Sequence, residues 1–279
     1  MERIERIGHN GGVTTEHDRE IFRRHSAEGI LLLGGGAAIL LQLADPRVAR
    51  GVARHSDFAT RPRDRLLGTL NYVYTVAFGD EEMVRHVVRR VNRRHAPVSG
   101  EAGATEASPA YSANDPDAQR WVASTLLAVA LQVHERLLEP LPEFAADAIV
   151  RSYRPLGAQL QADIAGWPTS RAEFDAWWNT RLSQLHVTAD ARRVCRALFT
   201  PSESWPRGAA LAAPVLRLIT ASLLPPQLRA DFGFRWTPRA ARVSDGWLRS
   251  IGRVWPLLPR SIRQAPLRMS LRSVQRDMS

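Results

Sequence analysis

Apolar residues recur at helical spacing, i, i+3, i+4, i+7, along most of this chain, and the alternating runs that build half-buried strands are scarce. An all-α fold follows. The spacing predicts helices over roughly 29–43, 46–54, 63–78, 80–94, 116–138, 143–157, 170–184, 188–199 and 209–223, about ten helices in a single large domain. Start and stop signals support these boundaries. Asp45-Pro46 and Asp115-Pro116 put proline in a first helical turn, where its missing N–H costs nothing. Thr169-Ser170 followed by Glu173 has capping-box spacing. Gly79-Asp80 ends one helix and caps the next. Residues 1–20 read as a polar lead-in, 21–240 as the helical domain and 241–279 as a basic amphipathic segment. The longest irregular stretch, Ala96 to Asn114, is rich in Gly, Ser, Ala and Pro and directly follows His95. Its length makes it a candidate pocket wall or lid.

Composition excludes several chemistries. All 38 basic residues are Arg, so there is no Lys for a Schiff base or for the phosphate grip of a P-loop. Cys195 is the single cysteine, which rules out an intrachain disulfide and any Cys-rich metal site. Its neighbours Val194, Ala197 and Leu198 read as a helix interior, hence a buried thiol. The polar N-terminus has no apolar core of a signal peptide. The apolar run Gly29 to Leu43, 15 residues, is too short to span a bilayer and reads as a core helix. A cytoplasmic protein is expected.

The formal charge of +10 is concentrated at one end: from Arg239 onward nine Arg face two Asp, a net +7. In that segment Trp247, Leu248, Ile251, Val254, Trp255 and Leu258 alternate with Arg249, Arg253, Arg260 and Arg263. Such a pattern either lies on an anionic membrane surface or packs its apolar stripe on the domain with the arginines solvated; both readings stay open. Nothing in it reads a nucleic-acid groove.

Among the eight histidines none forms an HExxH pair or zinc-ligand spacing. His86 and His134 have charged neighbours and read as surface residues, and His25 falls in the polar N-terminal region. The triplet Gly34-Gly35-Gly36 lies inside an apolar helical run with no strand before it, so it reads as close helix packing, not a phosphate loop. Arg65, Thr69 and Tyr72 fall at i, i+4 and i+7 and share one helix face. An Arg and a Thr pointing together into a helical core are costly unless they meet a polar or anionic guest.

Three segments stand out together: Leu40 to Pro46 running on through Gly51-Val52-Ala53-Arg54-His55-Ser56-Asp57; Arg65-Leu66-Leu67-Gly68-Thr69 on to Phe78-Gly79; and His95-Ala96-Pro97-Val98-Ser99-Gly100. With Trp121-Val122 and Thr125, Leu223-Leu224-Pro225, Leu228-Arg229 and Phe232-Gly233, they resemble the MpaB-like oxygenase family, whose haem-bearing relatives include rubber oxygenase. The resemblance runs from about Gly29 to Trp236. It implies an all-helical fold around b-type haem, oxidising or cleaving an apolar, isoprenoid-like small molecule with dioxygen. By the same resemblance His95 matches the proximal haem ligand, and Arg65 and Thr69 match the pair on the dioxygen side. His55 lines the pocket or caps a helix turn. Two departures follow. Gly68 stands where the rubber oxygenase has a Lys able to close the iron, so an open or water-bound iron is expected. Asp57 and Asp64 are the nearest acids before Arg65, and neither matches the rubber enzyme's base.

Overall fold

The computed structural model describes residues 14–55, 62–104, 108–200 and 209–279; the side chains of 62–65 and 209–210 also lie outside the described set. Its helices are α1 (Glu16–Ser26), α2 (Gly35–Leu43), α3 (Pro46–His55), α4 (Pro62–Phe78), α5 (Glu81–His95), α6 (Pro116–Leu137) and α7 (Glu143–Ala158). They continue as α8 (Arg171–Ser183), α9 (Ala189–Phe199), α10 (Ala209–Leu223), α11 (Pro226–Asp231), α12 (Pro238–Val254), α13 (Arg260–Arg263) and α14 (Ala265–Met278). The all-α expectation holds, with more helices than the nine spans read from periodicity.

α6 organises the rest. Its 22 residues span about 33 Å at 1.5 Å per residue. It is buried on two faces, as a helix that is apolar on more than one side must be. Trp121, Val129, Val133 and Leu137 enter one core, shared with α2, α3, α9, α10, α11 and α12. Ala123, Leu127 and Leu131 enter a second, shared with α1, α4, α5, α7 and α8. Trp121 is fully buried, stacked on Trp178 with centroids 4.9 Å apart, and its indole N–H donates to the Leu41 carbonyl at 3.1 Å.

Polar clamps fix the helix ends. Asp45, 2% exposed, accepts from Arg47 at 2.7 Å and from Arg181 at 3.1 Å. The same two guanidiniums reach Asp117 at 2.6 and 2.9 Å, and Arg47 also reaches Asp115 at 3.2 Å. Acids at the starts of α3 and α6 and an Arg near the end of α8 each complement a helix dipole. The capping residues read from sequence do their work: Asp80 accepts from Met83 N at 2.8 Å, Asp115 from Ala118 N at 2.8 Å, and Ser170 from Glu173 N at 3.2 Å.

Four local readings are corrected. A capped helix, α1, begins at Glu16, inside the stretch read as a lead-in; Thr15 and Asp18 close a capping box there. The run 29–43 is a 3-10 turn, Gly29–Gly34, followed by α2, because three successive glycines weaken α-helix continuity. The stretch 96–114 contains a two-residue antiparallel ladder, β1 (Ser99–Gly100) with β2 (Tyr111–Ser112). The buried Arg50 of α3 pins that stretch by bonds to the carbonyls of Glu101 (2.7 Å), Ser108 (3.0 Å) and Pro109 (2.5 Å). It is held down on α3 as a strap, and none of its described residues walls the cleft described below. Finally, His134 is 6% exposed, not a surface residue.

The C-terminal segment divides its apolar residues. Leu248, Leu267 and Val274 pack into the domain, and Trp255 donates its indole N–H to Glu28 at 2.7 Å. Trp247, Val254, Leu257, Ile262 and Met269 remain exposed. Among the described residues no single helix is long and apolar enough to cross a membrane.

Candidate functional site

A cleft of about 1180 Å³, counting the space open to solvent at its mouth, separates α2 from α4 and has α6 as its floor. α4 supplies Leu66, Thr69, Leu70, Val73, Tyr74, Ala77 and Phe78, one helical face. That wall is about 18 Å long at the rise of an α-helix. α2 and the 3-10 turn before it supply the opposite wall, and Leu126, Val129 and Ala130 the floor. The Leu66–Thr69 end is exposed, whereas Tyr74 and Tyr153, deeper in the cleft, are 5% and 4% exposed; Ala77 and Phe78 beyond them on α4 are half-buried. The cleft therefore has an exposed mouth and a buried interior. No charged side chain lines it among the described residues. Its apolar walls suit a neutral organic guest.

The glycine triplet shapes this wall. A Cβ on Gly34 would stand 2.2 Å from Val129 Cγ1, and one on Gly36 2.3 Å from Thr220 Oγ1, so both glycines serve close packing as their setting in sequence implied. Gly35 differs. It lines the cleft, and a Cβ there would meet nothing within 4 Å. Two turns further along α2 Gln42, also on the wall, donates to Thr125 Oγ1 at 3.1 Å, and Thr125 donates to the Val122 carbonyl at 2.7 Å.

The sequence-derived site residues are distributed as follows. Thr69 is on the cleft wall, at its mouth. Arg65 lies one turn earlier on α4, its side chain outside the described residues, as are Asp57 and the side chain of Asp64. Tyr72, at i+7 from Arg65, turns into the core instead: its hydroxyl donates to the Leu156 carbonyl at 2.6 Å, and burial pushes its pKa up. His95 is the last residue of α5, half-buried. α5 folds back along α4, and a Cβ on Gly68 would stand 3.2 Å from Arg94 Nη1, so the Arg65–Thr69 turn lies beside the end of α5. His95 is not on the cleft wall, and neither is His55, which bonds through Nε2 to the Tyr111 hydroxyl at 2.9 Å. His55 thus ties α3 to the strap.

Two histidines that sequence reading set aside come together. His134 Nε2 and His25 Nδ1 are 2.9 Å apart, with ring centroids 4.9 Å apart. They edge a small pocket that shares Ser26, Leu31 and Ala130 with the large cleft. Desolvation holds both rings toward neutrality, His134 down to about 4. The signal was present: Leu127, Leu131 and His134 fall at i, i+4 and i+7, on the buried face of α6. The charged Glu135 and Arg136 beside it masked that phase. Cys195, by contrast, is the buried thiol expected, with burial raising its pKa to about 11.

The family model for "ER-bound oxygenase mpaB/B'/Rubber oxygenase, catalytic domain" matches residues 22–255. Uncharacterized proteins of Mycobacterium bovis and Mycobacterium tuberculosis are each 31% identical over 227 residues, which is 78% of this chain and 86% of theirs. No solved structure matches the chain significantly. The match spans the first core, the second apart from its α14 residues such as Val274, and the whole of the cleft; the chain belongs to the mpaB/rubber-oxygenase catalytic-domain family.

Proposed function

We propose that this chain is a haem b-dependent oxygenase that oxidises or cleaves a neutral, apolar, isoprenoid-like small molecule with dioxygen. The observation that carries this reading is the uncharged cleft, whose mouth is edged by Thr69 on the turn that lies beside the end of α5. Among the described residues no group of three or more His, Cys, Asp or Glu could hold a bare metal ion. An iron here would have to bring most of its ligands with it, as a porphyrin does. The residues at this end fit such a group. His95 offers a half-buried imidazole, Gly68 lets Arg94 pack closely against the turn that carries Thr69, and Gly35 leaves bare wall inside the cleft.

In this proposal His95 would hold the haem iron, and Arg65 and Thr69 would serve the dioxygen that it activates. Bound haem supplies the iron that activates dioxygen. Thr69 holds a hydroxyl at the mouth, able to donate one hydrogen bond where negative charge develops. Arg65 supplies a guanidinium one turn away for a propionate or for the same charge. The apolar walls exclude water and align an apolar chain along α4. With Gly68 beside Thr69 and no Lys in the chain, no side-chain amine would compete with dioxygen for bound iron. The purified chain supplemented with haem should show a Soret band of open or water-ligated iron. Its absence would overturn the cofactor assignment. Arg65→Ala and Thr69→Val should retain the band and lose turnover.

The exposed Trp247, Val254, Leu257 and Ile262 beside Arg249, Arg253 and Arg260 support a second part of the reading, contact with an anionic membrane from which an apolar substrate would be drawn. Sedimentation with anionic vesicles should fall when Trp247 and Leu257 are both replaced by Ser. Unchanged sedimentation removes this part.

A further inference from the structure

The buried interior of the cleft is chemically unlike its outer walls. Tyr74 and Tyr153 both line it there, each about nineteen-twentieths buried at 5% and 4% exposure. Neither hydroxyl donates a hydrogen bond to a described residue, and neither is a sealed, orphaned atom, so each is left to the space of the cleft. Their rings are fixed: Phe22 meets Tyr153 edge-on at 5.3 Å, and Phe78 lies 6.2 Å from Tyr74. The nearby acid, Glu28, is already engaged by Trp255 Nε1 at 2.7 Å and Arg263 Nη1 at 3.0 Å, so it is not waiting for a phenolic proton. Ser26 adds a third hydroxyl to the same region.

We infer that Tyr74 and Tyr153 form a polar subsite that anchors a neutral oxygen, a ketone or an alcohol, at the inner end of an otherwise apolar substrate. Burial holds both phenols protonated, Tyr74 up to about 12, with Tyr153 raised further by Tyr74 beside it; each is therefore a neutral donor. A carboxylate or phosphate is disfavoured, because no cation lines the cleft among the described residues. The ligand enters apolar-tail-out. Its oxygen sits about five residues' rise, roughly 7–8 Å along α4, from Thr69 at the mouth. Binding head-in fixes which carbon reaches that mouth, so the two phenols set regiochemistry. They are positioning residues.

This inference rests on the cleft being the substrate site, and the test separates the two claims. Diphenylhexatriene, a hydrocarbon without oxygen, probes the cleft; 2-undecanone, displacing it, probes the subsite. In the wild-type chain both bind. Gly35→Leu, which projects a side chain into the cleft, should abolish binding of both. Tyr74→Phe/Tyr153→Phe should keep diphenylhexatriene affinity within twofold and weaken 2-undecanone about tenfold, the effect of losing one to two neutral hydrogen bonds. Retained hydrocarbon binding with unchanged ketone affinity overturns the subsite alone. Failure of the wild-type chain to bind diphenylhexatriene, or binding indifferent to Gly35→Leu, overturns the cleft assignment and the subsite with it. Circular dichroism of the double variant guards against loss of fold.

Discussion

Gly34, Gly35 and Gly36 are consecutive in sequence, yet alanine at the three positions should have opposite consequences. The new methyl on Gly34 would lie 2.2 Å from Val129 Cγ1 and 3.0 Å from Val133 Cγ2. On Gly36 it would lie 2.3 Å from Thr220 Oγ1. Favourable contact between carbon atoms begins near 3.5 Å, so over an ångström must be found. Val129 and Thr220 are β-branched, with χ1 stiff within their helices, and are 4% and 2% exposed, so neither can swing aside. Backbone displacement of α2 from α6 or α10 is what remains, and overpacking of this kind costs about 1–3 kcal/mol. At Gly35 nothing stands within 4 Å, and alanine should be neutral or stabilise by up to about 1 kcal/mol through helix propensity. Urea unfolding followed by circular dichroism on the three single variants measures this directly. Equal destabilisation at all three positions would refute the open wall at Gly35. No cost at Gly34 and Gly36 would refute the close approach of α2 to its neighbours.

Other predictions concern buried charge. The pKa of His134 falls from 6.5 to about 4 in the folded chain, so its contribution is complete above pH 6.5 and is lost as pH falls toward 4. Unfolding free energy should drop by about 2 kcal/mol between pH 7 and 5. His134→Gln should flatten that leg, and a flat wild-type profile would contradict the neutral pair. Asp18 receives Arg151 at 2.6 and 3.1 Å, and that hydrogen-bonded guanidinium lowers its pKa from 3.8 to about 2. The stability it adds is complete above pH 3.8 and is lost as pH falls to about 2; Asp18→Asn should cost about 2 kcal/mol at pH 7, read by the same unfolding assay.

Much of the fold was legible because it depends on period and caps. Periodicity located α4 to α10 within a residue or two, and Asp80, Asp115 and Ser170 cap where their spacing said. α1 was missed because Glu16 to Ser26 is mostly polar. Its hold on the domain includes the Asp18–Arg151 pair, the buried Phe22 and the His25–His134 contact, all long-range. Thr69 could be picked from i, i+4 spacing, but the same spacing sent Tyr72 to the wrong neighbour. Whether a face meets a cleft or a core depends on which helix packs against it, here α7, and local sequence does not carry that. The buried interior of the cleft was equally hidden. Tyr74 and Tyr153 are 79 positions apart and meet only when α4 and α7 flank the same cavity.

The central claim is that His95 carries haem at the mouth of this cleft. Absorbance titration of haem into the wild-type chain and into His95→Ala tests it most directly. The account predicts a saturable Soret band in the wild type, and no retained haem, or retention weakened by an order of magnitude or more, in His95→Ala with its helical circular dichroism intact. A wild-type chain that develops no Soret band, or a His95→Ala variant that holds haem as tightly as the wild type, would contradict it.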